Sequence, residues 1–195
     1  MDNEHVLLCI MGRTSCGKDT LVDKLCGRTG LTAITSYTTR QRRNNEGDTH
    51  IFSTREAYEQ MQADDNVAAY TEIAGNMYWT TIDQLYEHSV YIIDPRGVET
   101  LRKLNLPNLR LVTVYINTPD AVRKERALNK RGDDRLTFMK RDIAEREQFR
   151  SMLRNADFDY AISNADVAKA YSILRWIATI EGVWKNNSEE EVSDA

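Results

Sequence analysis

The chain has 195 residues, enough for one domain of ordinary size whose core needs no disulfide staples. It carries 26 Lys+Arg against 30 Asp+Glu, a net charge of -4, which excludes a globally basic coat and makes nucleic acid an unexpected partner. The cysteines Cys9, Cys16 and Cys26 are too few and too widely spaced for a disulfide framework or a CxxC metal clamp, so a reduced, cytoplasmic setting is expected.

Residues 6–11 are a continuous apolar run and read as a buried strand. The run is far short of the ~20 apolar residues a membrane span needs. The acidic, His-bearing residues before it do not fit a signal peptide, so no membrane association is expected. Residues 19–28 have helical spacing, with Leu21, Val22 and Leu25 on one side and Gly30 just beyond the end. Residues 31–36 read as a second strand. Ser53-x-x-Glu56 is a capping-box pattern and opens a helix that turns Ala57, Tyr58 and Met61 inward.

Residues 67–73 and 77–80 flank Ala74-Gly75-Asn76, the signature of a hairpin. Residues 89–93 and 109–116 are apolar throughout, as strands buried on both faces are. Thr118-Pro119 supplies an N-cap and a first-turn proline for a helix to about residue 130. Residues 137–155 and 165–182 read as helices, with a short strand at 158–162 between them. Trp176 and Trp184 read as core and tail anchors, and His5 and His88, without partners at metal spacing, as structural. Residues 185–195 are acidic and nearly free of apolar side chains, the composition of a disordered tail.

Strands alternating with helices predict an α/β fold with a parallel sheet covered on both faces. Residues 36–86 break that rhythm and read as an insertion over the sheet edge.

Gly12-Arg13-Thr14-Ser15-Cys16-Gly17-Lys18 matches G-x-x-x-x-G-K directly after a strand and directly before a helix. Glycines let backbone N–H groups wrap an anion, the helix N-terminus adds positive potential, and Lys18 reaches the outer phosphates. The following position, where a hydroxyl ordinarily ligates Mg²⁺, holds Asp19, with Thr20 behind it. A carboxylate is a hard oxygen ligand, so Asp19 is assigned to the metal. Cys16 lies at a helix N-terminus, where a thiol pKa can fall, but reads as a small loop filler. Downstream, Arg40 and Arg43, three apart on an irregular segment, are able to converge on one phosphate, although charge alone favours a solvated basic loop.

The string Ser36, Thr38, Thr39, Arg40, Arg43, Glu46 and Phe52 resembles the S-x-T-T-R-x-x-R-x-x-E…F pattern of guanylate kinases. Residues 71–80 are similar to that family's A-E-V-x-G-N-Y-Y-G-T segment. Asp94-Pro95-Arg96-Gly97 resembles its D-x-Q-G turn, Arg131 and Arg141 the arginines of its lid, and residues 159–164 its D-Y-x-I-x-N stretch. The resemblance covers about residues 5–180. It implies a P-loop kinase with a five-stranded parallel core (1–35 and 87–184), a small mixed α/β acceptor-binding insertion (36–86) and a lid at about 131–141.

It further implies that ATP and Mg²⁺ are held by residues 12–20, Gly12, Arg13, Thr14, Ser15, Cys16, Gly17, Lys18, Asp19 and Thr20, with Asn164 near the adenine. Asp19 and Asp94 would be the metal ligands. Lys18, Arg131 and Arg141 would act on the transferring group. Ser36, Arg40, Arg43, Glu46, His50, Glu72, Tyr78, Thr80 and Asp94 would surround the acceptor. Ala69 stands in place of the family's guanine-reading Glu, His50 in place of a tyrosine, Ile92 in place of an Asp and Trp79 in place of a Gly. GMP or dGMP is the expected acceptor. Another nucleoside monophosphate, ribose 1,5-bisphosphate, or a non-catalytic binding module are the alternatives. Small-molecule nucleotides are the expected partners.

Overall fold

In the computed structural model, residues 4–42, 50–73, 75–130, 132 and 134–185 are described. The chain runs β1 (His5–Met11), α1 (Lys18–Thr29), β2 (Tyr37–Thr38), β3 (Ile51–Phe52), α2 (Arg55–Ala63), β4 (Val67–Ile73), β5 (Asn76–Thr81) and α3 (Ile82–Glu87). It continues through β6 (Val90–Ile92), α4 (Pro95–Leu104), β7 (Leu109–Asn117), α5 (Asp120–Glu125), α6 (Arg135–Asn155), β8 (Tyr160–Ser163) and α7 (Val167–Ile180). A π-helical turn, Arg126–Lys130, extends α5.

The apolar runs form a parallel sheet ordered β6-β1-β7-β8. β1 lies inside it, with Leu8 beside both Val90 and Val112. Successive side chains of a strand point to opposite faces, and β1 feeds two half-cores accordingly. Leu8 and Ile10 pack with Val22 and Leu25 of α1 and Leu174 and Ile177 of α7. Leu7, Cys9 and Met11 pack with Leu101 of α4 and Phe149 and Met152 of α6. This double burial is why the strand is apolar at every position.

The expected strand at 31–36 is reduced to a bridge from Ala33 to Val90. The Ile34 N–H donates to the Val90 carbonyl at 2.8 Å, and the Thr32 carbonyl accepts from Ser89 and Val90. Beyond this edge the chain leaves the sheet, because Tyr37 and Thr38 pair with β5 instead. The main sheet therefore has four full strands and a vestigial fifth edge. The second sheet, ordered β3-β2-β5-β4, holds the β4–β5 hairpin.

Several termini fall one or two residues from their expected places. Thr54, not Ser53, caps α2 and accepts from the Ala57 N–H. Thr118 does not cap α5; Pro119 takes that position without a side-chain bond, since the Thr118 hydroxyl is committed elsewhere. Helices α3 and α4 were not anticipated, although Thr81 with Gln84 forms a capping box and Asp94-Pro95 starts α4. Trp176 is 58% exposed rather than in the core. Trp184 packs against the α1–α7 cluster. His5 and His88 are structural: the His5 ring bonds the His88 carbonyl, and the His88 ring bonds Thr32. No helix among the described residues is long and apolar enough to cross a membrane. The expected tail lies outside the described residues except for Lys185.

Leu8 is fully buried at the centre of this arrangement. Leu8→Ala should cost about 2–5 kcal/mol of unfolding free energy in urea titration. A loss below about 1 kcal/mol would place the centre of the core elsewhere.

Candidate active site

β1 delivers the chain to the carboxyl end of the sheet, and α1 starts again at Lys18 after a tight loop. Two glycines there have steric causes. A Cβ on Gly12 would lie 2.4 Å from the Cys16 Sγ and 3.1 Å from the Ile116 carbonyl oxygen. Gly17 has φ +88°, and a Cβ on it would lie 2.7 Å from the Asn164 Nδ2. Ser15 is held at φ 59°, a strained conformation for a residue with a side chain. Its Oγ is buried and has no partner among the described residues.

The Cys16 carbonyl accepts three hydrogen bonds, from Thr118 Oγ1 at 2.9 Å, Arg126 Nη1 at 3.0 Å and Asn164 Nδ2 at 2.8 Å. A carbonyl so committed presents no negative end to an anion in the loop. Arg126 also donates to the Asn164 carbonyl at 2.8 Å, which ties the π-helical turn to the end of β8. Asn164, expected beside the adenine, is fully buried and spends its amide on the loop. Its Oδ1 is buried without a partner among the described residues.

A second set of contacts closes over the loop from α5 and α6. Arg123, 1% exposed, donates to the Thr14 carbonyl at 3.1 Å and pairs with Asp120 at 2.7 Å and Asp142 at 2.8 Å. Burial opposes the Arg123 charge, but its bonds to Asp120 and Asp142 outweigh it and raise the guanidinium pKa. Arg13 pairs with Asp142 at 2.6 Å and Asp120 at 3.4 Å. Glu145 of α6 accepts the Thr14 N–H at 2.6 Å. Arg13 and Thr14, both expected on the phosphates, are thus engaged by protein carboxylates.

Lys18 is partly buried at the start of α1, and Asp19 and Thr20 are exposed in its first turn. Asp94 follows β6 at the same end of the sheet, since Ile92 pairs with Ile10. It caps α4 by accepting the Gly97 N–H at 2.8 Å.

Next to Asp94 a cavity of about 350 Å³ opens between the second sheet and α4. Its walls include Ser36, Ala69, Thr80, Tyr91, Asp94 and Gln148. Thr80 and Tyr91 hydroxyls share a hydrogen bond at 2.5 Å, and Ser36 lies 3.5 Å from Thr80. Strand pairing brings together the segments expected around the acceptor phosphate, because Thr38 is in register with both Phe52 and Tyr78. The Arg40 and Arg42 guanidinium groups lie 5.5 Å and 4.6 Å from the centre of the Phe52 ring. The His50 ring meets Tyr78 edge-on at 5.7 Å.

Glu72 is not part of this cavity. Ala69 and Thr71 share one face of β4, while Glu72 lies on the alternate face and accepts from the Tyr70 hydroxyl at 3.3 Å. Arg43, Glu46 and Arg131 lie outside the described residues. Arg141 is exposed on α6, whose first two turns take up residues 135–141 of the expected lid.

Burial, rather than loop potential, governs the thiols. It pushes the Cys9 pKa up to about 12 and raises that of Cys16 despite nearby Lys18. Cys16 is a neutral packing residue. Arg123, Arg126, Asp142 and Glu145 were not anticipated. The Asp120–Arg123 spacing was the one local hint of the second set.

The guanylate kinase family model matches residues 4–180. The guanylate kinase of Lactobacillus delbrueckii subsp. bulgaricus is 28% identical, with 94% of this chain and 92% of that one covered. The guanylate kinase of Pseudomonas fluorescens is 30% identical over 88% of this chain and 85% of that one. Among solved structures, guanylate kinase from Anaplasma phagocytophilum superposes with a TM-score of 0.61 at 21% identity, covering 92% and 87% of the two chains. That likeness establishes the shared fold.

Arg123→Met leaves the Thr14 carbonyl and Asp142 short of a buried partner. It should cost about 3 kcal/mol in denaturant titration, and a neutral result would remove the contacts around Arg123 from the folding account. A thiol reagent at pH 8 should label Cys26 alone in the native protein and all three cysteines after unfolding. Rapid native labelling of Cys16 would contradict its burial.

Proposed function

The chain belongs to the guanylate kinase family, and we propose that it transfers the γ-phosphoryl group of ATP to the phosphate of GMP or dGMP. The products are ADP and the guanosine diphosphate. The observation that carries this reading is the placement of two sites at one end of the parallel sheet. The Gly12–Lys18 loop follows β1, and the hydroxyl-lined cavity begins at Asp94 after the neighbouring β6. Ligands of open α/β sheets bind at that end.

The chemistry asks little covalent help of the protein. An acceptor phosphate oxygen attacks the γ-phosphorus in line and the ADP oxygen leaves, so orientation and charge neutralisation do the catalysis. The loop amides and Lys18 hold the ATP phosphates. Arg40 and Tyr78, with Arg43, hold the acceptor phosphate, and His50 stands against Tyr78. Glu46, Ser36 and Thr80 complete the acceptor side. Arg131 and Arg141 converge on the transferring group as the segment around 131–141 closes and water leaves. On this reading Glu145 yields the Thr14 N–H when a phosphate oxygen arrives.

The donor set fits Mg²⁺. Among the described residues no cluster of three or more His, Cys, Asp or Glu side chains is arranged for a metal. Mg²⁺ does not ask for one, since it takes one or two carboxylates with phosphate oxygens and water. Asp19 and Asp94 would supply those carboxylates. The bound ion would neutralise charge on the phosphate oxygens.

A coupled assay for ADP release, with ATP, Mg²⁺ and a panel of GMP, dGMP, AMP, CMP, UMP, dTMP and ribose 1,5-bisphosphate, tests the proposal. Turnover should be confined to purine nucleotides led by GMP or dGMP. Turnover on the bisphosphate alone would overturn the acceptor. Lys18→Met should lower kcat at least about a hundredfold. Arg40→Met should raise KM for GMP about tenfold with little change in KM for ATP. Asp19→Asn should raise the Mg²⁺ concentration for half-maximal rate roughly tenfold, and an unchanged Mg²⁺ profile would exclude Asp19 as a ligand.

A further inference from the structure

One residue on the wall of the acceptor cavity, which also lines the neighbouring cavity beside α4, carries a polar atom that its own fold does not satisfy. It is Gln148 of α6, and the Gln148 Oε1 is buried with no hydrogen-bond partner among the described residues. A buried amide oxygen without a partner costs stability, and such atoms in folded proteins call for a reason. The surrounding wall says what partner would suit. Ala69 contributes only a methyl group. Asp94 is the one carboxylate lining the cavity among the described residues, and one of its oxygens is occupied by the Gly97 N–H. Arg96 lines the same cavity and offers donors only. Ser36, Thr80 and Tyr91 close the far side with hydroxyls that already bond one another.

These groups match one pattern on a base edge. A carboxamide presents an acceptor beside a donor, which complements the N1–H and O6 of a 6-oxopurine. An arginine complements acceptor atoms, and O6 with N7 of guanine is the pair it most often reads. A carboxamide can also turn its acceptor to the 6-amino group of adenine, so discrimination against adenine falls to Arg96, whose donors meet O6 but would face the 6-amino hydrogens. Among the described residues, no second carboxylate that would take N1–H and the 2-amino group together lines this wall.

We propose that Gln148 and Arg96 read the 6-oxopurine edge of the acceptor base, so that hypoxanthine is accepted alongside guanine. The proposal rests on the nucleoside monophosphate acceptor reading above. It makes Gln148 a specificity residue contributed by the helix that also carries Glu145 to the phosphate loop.

The test measures kcat/KM and calorimetric affinity for GMP, IMP and AMP in the presence of saturating ATP or its non-hydrolysable analogue. In the wild type, IMP should fall within about fivefold of GMP, because Ala69 offers the 2-amino group no acceptor and no second carboxylate lines the cavity among the described residues. AMP should be at least about a hundredfold worse. Gln148→Leu should weaken GMP and IMP alike by about tenfold while KM for ATP holds. Ala69→Glu should raise the GMP preference over IMP by about tenfold. If Gln148→Leu does not fold, Gln148→Asn, one methylene shorter, carries the same expectation.

Discrimination of GMP over IMP by a hundredfold or more in the wild type would overturn the proposal. So would unchanged GMP affinity in both Gln148 variants, or AMP turnover equal to GMP. These results would leave the kinase reading standing. No binding of GMP or IMP beside intact MgATP binding would instead defeat the acceptor reading itself, and this proposal with it.

Discussion

A loop that holds phosphate must point its amide hydrogens at the ligand and its carbonyls away from it. The carbonyl of Cys16 is where that requirement is hardest to meet, since it lies in the loop itself. Here three donors capture it, the Thr118 hydroxyl, the Arg126 guanidinium and the Asn164 amide. Each comes from a different part of the chain: just after β7, from the π-helical turn, and just after β8. The order of the parallel sheet is what gathers them, because β7 sits between β1 and β8. Gly17 is a glycine for the same reason, with Asn164 so close that a Cβ could not be placed. Sheet topology, glycine placement and loop geometry are one constraint seen at three levels.

The helix α6 couples the two halves of the site. Asp142 and Glu145 in its middle turns hold Arg13 and Thr14 of the phosphate loop. Gln148, one turn on, lines the acceptor cavity. Phe149 and Met152 then anchor the helix in the core between β1 and α4. One rigid element therefore carries acidic groups to one substrate site and an amide to the other. Arg141 lies on the same element. A small rotation of α6 would be felt at both sites, which suits a reaction that must not proceed until both are filled.

Much of the phosphate chemistry was legible in the sequence because it is local. Gly12, Gly17 and Lys18 lie within one turn of chain, and strand and helix flank them directly. Arg40, His50 and Tyr78 were found through a residue string, and two strand pairings bring them together. Glu72 shows the limit of such reading. A step of three residues along a strand changes face, and β4 carries Ala69 on the cavity wall while Glu72 is not among the lining residues and meets the Tyr70 hydroxyl instead. Asn164, expected near the adenine, gives its amide nitrogen to the Cys16 carbonyl, while its Oδ1 is buried without a partner among the described residues. A residue string cannot tell a side chain that touches ligand from one that holds the loop touching it.

The sequence by itself determined the α/β alternation and the glycine-flanked loop between β1 and α1. Each rests on periodicity or on spacing within a few residues, which the chain cannot alter by folding. Only the tertiary structure decided which partners fix the loop, since Thr118, Arg126 and Asn164 lie 102, 110 and 148 positions from Cys16. It also decided that the edge at Ala33 is a bridge and not a strand, because Tyr37 and Thr38 find β5. And it decided that Gln148 faces the acceptor cavity, which depends on the rotation of α6 about its axis. That rotation is set by Phe149 and Met152 packing against β1 and α4, and no local pattern around Gln148 encodes it.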